Sequence, residues 1–165
     1  LTTTPWLTER HGYDPTWEIF GEEIEDILKK GEYGILSTVG MDGKPYAVPI
    51  SYAWKDGLIH LHCAANAGRK LDNISCNSNV CFVVIGDTEV QPEKFGTLYE
   101  SVILTGQIMP SKDKQASLVA LLEKYSKDFL EKGMQYIRAA KDKTGVYVIY
   151  PERITGKAKR ISAHS

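Results

Sequence analysis

Long apolar runs are missing from this sequence. No stretch approaches the roughly 20 residues of a membrane-spanning helix, and the first residues show neither the basic nor the apolar segment of a secretion signal. Charge of one sign is missing too: 20 Lys and Arg stand against 21 Asp and Glu, a formal net charge of −1. No global basic excess points to nucleic acid or a membrane surface, so any anion site must be local. Cysteine is scarce. Cys63, Cys76 and Cys81 are odd in number and lack C-x-x-C spacing, which argues against a disulfide scaffold and reads as reduced thiols in a cytoplasmic protein. There is no internal repeat and no low-complexity tract. No Ser-His-Asp order, activated cysteine pair or paired catalytic carboxylates stands out.

What is present is the balance of one globular domain: 165 residues, 42% hydrophobic and 25% charged. Residues 1–13 read as an extended arm, and 14–165 as the domain. Asp14-Pro15 reads as a helix start, with Ile19, Phe20, Ile24, Ile27 and Leu28 on one face and Gly31 as the stop. Strand patterns follow at 33–39, 45–54 and 58–63, joined by the turns Gly40–Gly43 and Lys55–Gly57. Pro49 cannot donate to a ladder and marks an edge, a bulge or an opening in the sheet. A short helix at 68–77, an apolar strand at 79–86, a polar loop at 88–97, a strand at 98–108 and a helix capped by Ser111 come next. A helical segment at 134–140 and one or two strands within 145–159 close the chain. The total is six or seven antiparallel strands with peripheral helices, for which a barrel is the economical way to remove edges.

The most informative stretch is His60–Ile74. It begins as a strand, passes through the small residues Ala64, Ala65, Ala67 and Gly68, and turns helical at Arg69-Lys70. A strand-to-helix junction exposes unpaired N–H groups, and two cations beside them make a phosphate site. Cations in a first turn oppose the helix dipole, and a bound anion would reverse that conflict; the plain alternative is a solvated helix face. His60 and His62 share one strand face, but with His11 and His164 near the ends and no nearby carboxylate, no metal site is complete. His62, next to the small residues, is the better candidate to face a ligand. Ser37, Thr38, Ser51 and Ser101 are ordinary strand hydroxyls singly, and as a set could bond the polar edge of a flat ring lying against Val48-Pro49-Ile50. Binding groups outnumber acids, bases and nucleophiles, as expected where a cofactor performs the chemistry.

These residues resemble the FMN-binding split-barrel family related to pyridoxamine 5′-phosphate oxidase, most of all its nitroimidazole-resistance (Nim-type) members. The likeness rests on Gly34–Val39, on Pro45–Tyr52, on His60-Leu61-His62 followed by Gly68–Ile74, and on Tyr99–Val102 with Gly106. It implies a mainly β, six-stranded antiparallel split barrel that forms a homodimer with FMN between the subunits. It further implies that Gly68, Arg69 and Lys70 hold the phosphate and that Val48, Pro49, Ile50 and Ser51 line the isoalloxazine. His62 and Ala64 would lie beside the ribityl chain or ring, with His62 as the one catalytic candidate, and Ser101 would touch the partner's flavin. The oxidases proper close with an Arg-x-His-x-Arg-like grip on the substrate, where this chain has Arg153–Arg160 without a histidine. The function implied is a flavin-dependent oxidoreductase reducing a small electron acceptor, for instance a nitroaromatic, with NAD(P)H as donor. The alternative is a non-catalytic protein that binds or stores flavin or haem.

Overall fold

Alternating burial along 34–39, with Gly34, Leu36 and Thr38 inside and Ile35, Ser37 and Val39 half-exposed, is the period-2 signature of a strand with one face on a core. A computed structural model of the chain describes residues 15–64 and 68–161, so the expected arm at 1–13 lies outside the described residues. Within them run β1 (Glu18–Ile19), α1 (Glu22–Lys30), β2 (Gly34–Val39), β3 (Pro45–Ile50), β4 (Tyr52–Lys55) and β5 (Leu58–Ala64). They are followed by α2 (Arg69–Cys76), β6 (Asn79–Gln91), β7 (Gly96–Pro110), α3 (Lys114–Tyr125), α4 (Leu130–Ala140) and β8 (Thr144–Lys159).

The strands form one antiparallel sheet in the order β3-β2-β6-β7-β8-β5-β4, with β1 added to β8. The two edges of this sheet, β3 and β4, are consecutive in the chain and separated by Ser51 alone. The sheet therefore curls until its edges nearly meet, and Ser51 stands at the split. Tyr52, Phe82, Leu36, Ile59, Leu104, Val84, Val102 and Ile149 fill the interior with α1's Ile27 and Leu28. The Tyr52 and Phe82 rings meet edge-to-face at 5.2 Å.

The split barrel is thus as expected, with eight strands rather than six. The run 45–54 is two strands, because β3 pairs with β2 while β4 pairs with β5 on the other side of the split. The helix expected from Asp14 begins only at Glu22: Glu18 and Ile19 pair with Lys157 and Gly156 of β8, which buries Ile19 and leaves Phe20 exposed. The polar loop expected at 88–97 is a β-arm, since β6 and β7 stay paired out to Gln91 and Gly96. The α3 cap is Asp113, whose side chain accepts from Ala116 N–H, rather than Ser111. The last strand is a single 16-residue β8. Among the described residues no helix is long and apolar enough to cross a membrane.

Candidate functional site

Strand β5 carries His60 and His62 outward from the core-facing Ile59 and Leu61. The two imidazoles have different fates. His60 Nε2 donates to the Lys55 carbonyl at 3.2 Å, so Nδ1 accepts from the Ser117 hydroxyl at 2.9 Å, and Ser117 is in turn 2.7 Å from Ser111. His60 is a tie between β5 and α3. His62 makes no such tie and lines a cavity of about 710 Å³ between the barrel split and the α3–α4 pair. Its edge is exposed, but the surrounding atoms strip enough solvent from the ring to lower its pKa below the ordinary imidazole value, and the Lys70 charge lowers it further. The ring is neutral at pH 7.

The cavity wall follows from the sequence of α3 and α4. Leu118, Leu121, Leu122 and Ile137 supply apolar surface, and Phe129 and Tyr136 stand at the rim, Tyr136 73% exposed. The helices approach closely because residue 133 is glycine: a Cβ there would sit 2.1 Å from Leu122 Cδ1. Across from them lies Ser51, next to Tyr125. The Tyr125 hydroxyl accepts from Tyr52 N–H at 2.9 Å and has the Glu32 and Tyr52 carbonyls within 2.7 and 2.9 Å. It thereby occupies backbone groups that a closed ladder would have paired. Burial pushes this phenol up, against hydrogen bonds from the Tyr52 backbone and the Ser51 side chain.

Helix α2 docks on the β2–β3 hairpin through buried Ile74 and through Asn73, whose amide donates to Thr38 Oγ1 at 2.9 Å while Thr38 donates to the Tyr46 carbonyl. Gly68, at φ +129°, sets the turn into the helix, and no side chain caps the first turn. The Arg69 guanidinium lies over the Tyr46 ring at 4.9 Å, beside a shallow depression lined by Asp72 and Asn73. Lys70 is half-buried on the other side, where its charge reaches His62 and Cys63.

The structure thus brings Ser51 and His62 to one mouth, with Lys70 near enough for its charge to reach His62 and with Gly68 and Arg69 beside it in the chain. Ala64, exposed at the end of β5, pairs with Thr144, itself a cavity residue. Val48 and Ile50 pack on the core and Pro49 points outward, so only β3's open backbone edge and Ser51 adjoin the mouth. Ser101 is not brought to it: it faces outward between Ile85 and Lys157, lining a separate depression of about 290 Å³. Tyr125, Lys132, Tyr136 and Lys141 were not expected at the site; exposed aromatics beside lysines on an otherwise amphipathic helix were the available signal. Among the described residues no three His, Cys, Asp or Glu side chains converge.

A single antiparallel sheet that curls until its two edges part at Ser51 defines the class of split β-barrels. The chain belongs to the pyridoxamine 5′-phosphate oxidase family, whose model matches residues 21–158. It is similar in structure to a conserved hypothetical protein of Mycobacterium tuberculosis (TM-score 0.73, 20% identity, 93% of this chain and 98% of that one). It is also similar to an FAD and heme binding protein of Mycobacterium smegmatis (0.70, 16%, 87% and 74%). A third likeness is to a candidate 5-nitroimidazole antibiotic resistance protein of Bacteroides thetaiotaomicron (0.68, 20%, 85% and 85%). No curated protein sequence matches the chain significantly.

Proposed function

We propose that this protein binds FMN as a homodimer and works as a flavin-dependent oxidoreductase on a small electron acceptor. The observation that carries this reading is the uncapped first turn of α2, with Gly68, Arg69 and Lys70, opening beside the Ser51–His62 mouth of a cavity large enough for a flat ring. These residues fit the group. The N–H groups of the turn and the two cations would hold the phosphate, and Ser51 would offer a hydrogen bond to the polar edge of the ring. When bound, the flavin supplies the electron chemistry that no side chain here provides. The chain's own share is to anchor, orient and exclude water, and to keep His62 neutral so that a ring nitrogen can accept or return a proton at the mouth.

A homodimer is supported by the outer face of the sheet. Two cross-strand rows, Pro49-Ile35-Val83-Ile103 and Ala47-Ser37-Cys81-Thr105, span β3, β2, β6 and β7 without a charge. Ser101 adjoins these rows, so it would lie at or beside such an interface. Likeness to the Bacteroides protein makes nitroaromatics the first acceptors to test, with NADH and NADPH as donors.

A second reading is binding or storage of flavin or haem without turnover, favoured by likeness to the FAD and heme binding protein and by His62 as the one imidazole at the cavity among the described residues. Titration of the purified protein with FMN and with haemin decides between cofactors, by quenching of flavin fluorescence or by a shifted haem band. A protein that takes up neither overturns both readings. One that takes up FMN but is neither reduced by NAD(P)H nor reoxidised by any acceptor is a storage protein.

A further inference from the structure

We infer that the α3–α4 cavity selects a small aromatic acid as the molecule that meets the cofactor, an inference that rests on the flavin reading for its purpose though not for its geometry. The cavity extends well beyond the Ser51–His62 mouth, and its charged groups have one sign. Lys132 and Lys141 line it, and no Asp or Glu does so among the described residues. Neither lysine is ion-paired among the described residues. Lys132 stands in the first turn of α4, where a cation opposes the helix dipole, and Lys141 is half-buried directly after the helix.

An unpaired cation that loses solvent as the cavity fills incurs a cost that an entering carboxylate offsets. The rest of the wall sets the remainder of the ligand. Leu118, Leu121, Leu122 and Ile137 take an apolar body, the rim aromatics Phe129 and Tyr136 favour a flat ring, and neutral His62 can bond a polar substituent without adding charge. A neutral acceptor of the same shape fills the apolar part and leaves both lysines unanswered.

Isothermal titration of the protein, with and without FMN, against benzoate, benzamide and benzyl alcohol tests this. Benzoate is expected to bind at least tenfold more tightly than either neutral analogue. Lys132→Gln combined with Lys141→Gln should abolish that preference without unfolding the domain, since both positions are exposed or half-exposed and tolerate the change. Equal binding of all three compounds, or no binding of benzoate, overturns the inference. So does loss of FMN binding in the double variant while Lys70→Ala keeps it, because the cavity lysines would then hold the cofactor's own phosphate. Selective benzoate binding by a protein that takes up no flavin supports the acid site and overturns the flavin reading instead.

Discussion

The Lys124 ammonium lies 3.6 Å from the centre of the Tyr52 ring and donates to the Gly31 carbonyl at 2.6 Å. Tyr52 donates to the Leu28 carbonyl at 2.6 Å, and Tyr125 reaches the Glu32 carbonyl. Three side chains from the split and from α3 thus satisfy the Leu28 carbonyl in the last turn of α1 and the Gly31 and Glu32 carbonyls just beyond it. Burial lowers the Lys124 pKa to about 8. The unfolded chain therefore holds this proton more firmly than the folded one between about pH 8 and 10.5, and over that window Lys124 makes stability rise with pH. Urea midpoints at pH 7, 8, 9 and 10 should show this rise relative to Lys124→Met, and parallel curves for the two proteins would refute it.

Tyr125→Phe removes the hydroxyl that accepts from Tyr52 N–H at the split. Leaving that donor and the Glu32 carbonyl without their partner should cost about 1–2 kcal/mol, read as a lower denaturant midpoint with unchanged slope. Tyr125 also walls the cavity, so flavin fluorescence in the loaded variant should shift. A variant as stable as the parent would mean that water replaces the phenol.

Much of this architecture is written locally in the sequence and some of it cannot be. The hairpin turns, the buried strand β6 and the start of α2 follow from Gly-rich turns, continuous apolar residues and Gly68 ahead of Arg69. Pro49 marks an edge or opening, and β3 is the edge strand, but the exact split at Ser51 is hidden because its neighbours continue the strand pattern and only the partners of β3 and β4 separate them. The 88–97 arm reads as a loop because a two-stranded ribbon with solvent on both sides needs no apolar alternation. Asp14-Pro15 offers helix-start chemistry, but β8 captures Glu18 and Ile19 first. The strand-to-helix turn at Gly68 is legible as a motif. The cavity is not, since it depends on contacts such as that between Tyr52 and Tyr125, 73 residues apart.

Glu100, 8% exposed, receives Lys30 at 2.6 Å and Arg160 at 2.9 Å, and the Asp87 N–H at 3.2 Å. Burial pushes its pKa up, but the hydrogen bonds from Lys30, Arg160 and Asp87 N–H outweigh that and hold it below the ordinary carboxylate value. Its contribution is complete above the unfolded carboxylate pKa and is lost as pH falls through the folded one. Glu100→Gln should cost about 2 kcal/mol at pH 7 and should flatten the acid limb of the stability curve. An unchanged acid limb would show that other carboxylates govern it.

Lys70 and Arg69 should differ as phosphate ligands. Lys70 faces the His62 side, whereas Arg69 is held over Tyr46. Lys70→Ala should weaken FMN binding by about 1.5–3 kcal/mol, the usual worth of a charge-assisted hydrogen bond. Arg69→Ala should lose less, because part of the guanidinium's interaction is already made with the ring. Fluorescence titration of both variants measures this, and equal affinity of Lys70→Ala and the parent would remove Lys70 from the site.

Ile103 sits in the charge-free row with Val83, Ile35 and Pro49, and is 45% exposed. In a two-fold interface the same patch serves both subunits, so each substitution enters the interface twice. Ile103→Asp would then bury two carboxylates without counter-charges, a cost of several kcal/mol. Leu104 and Val102, its neighbours in sequence, face the core and are untouched, so the barrel should keep its circular dichroism and melt cooperatively. Sedimentation should therefore find a dimer for the parent and a folded monomer for the variant. FMN affinity should fall with dimerisation if Ser101 completes the partner's site. A monomeric parent would assign the uncharged rows to some other partner, and a monomeric variant with full FMN affinity would confine the flavin site to one chain.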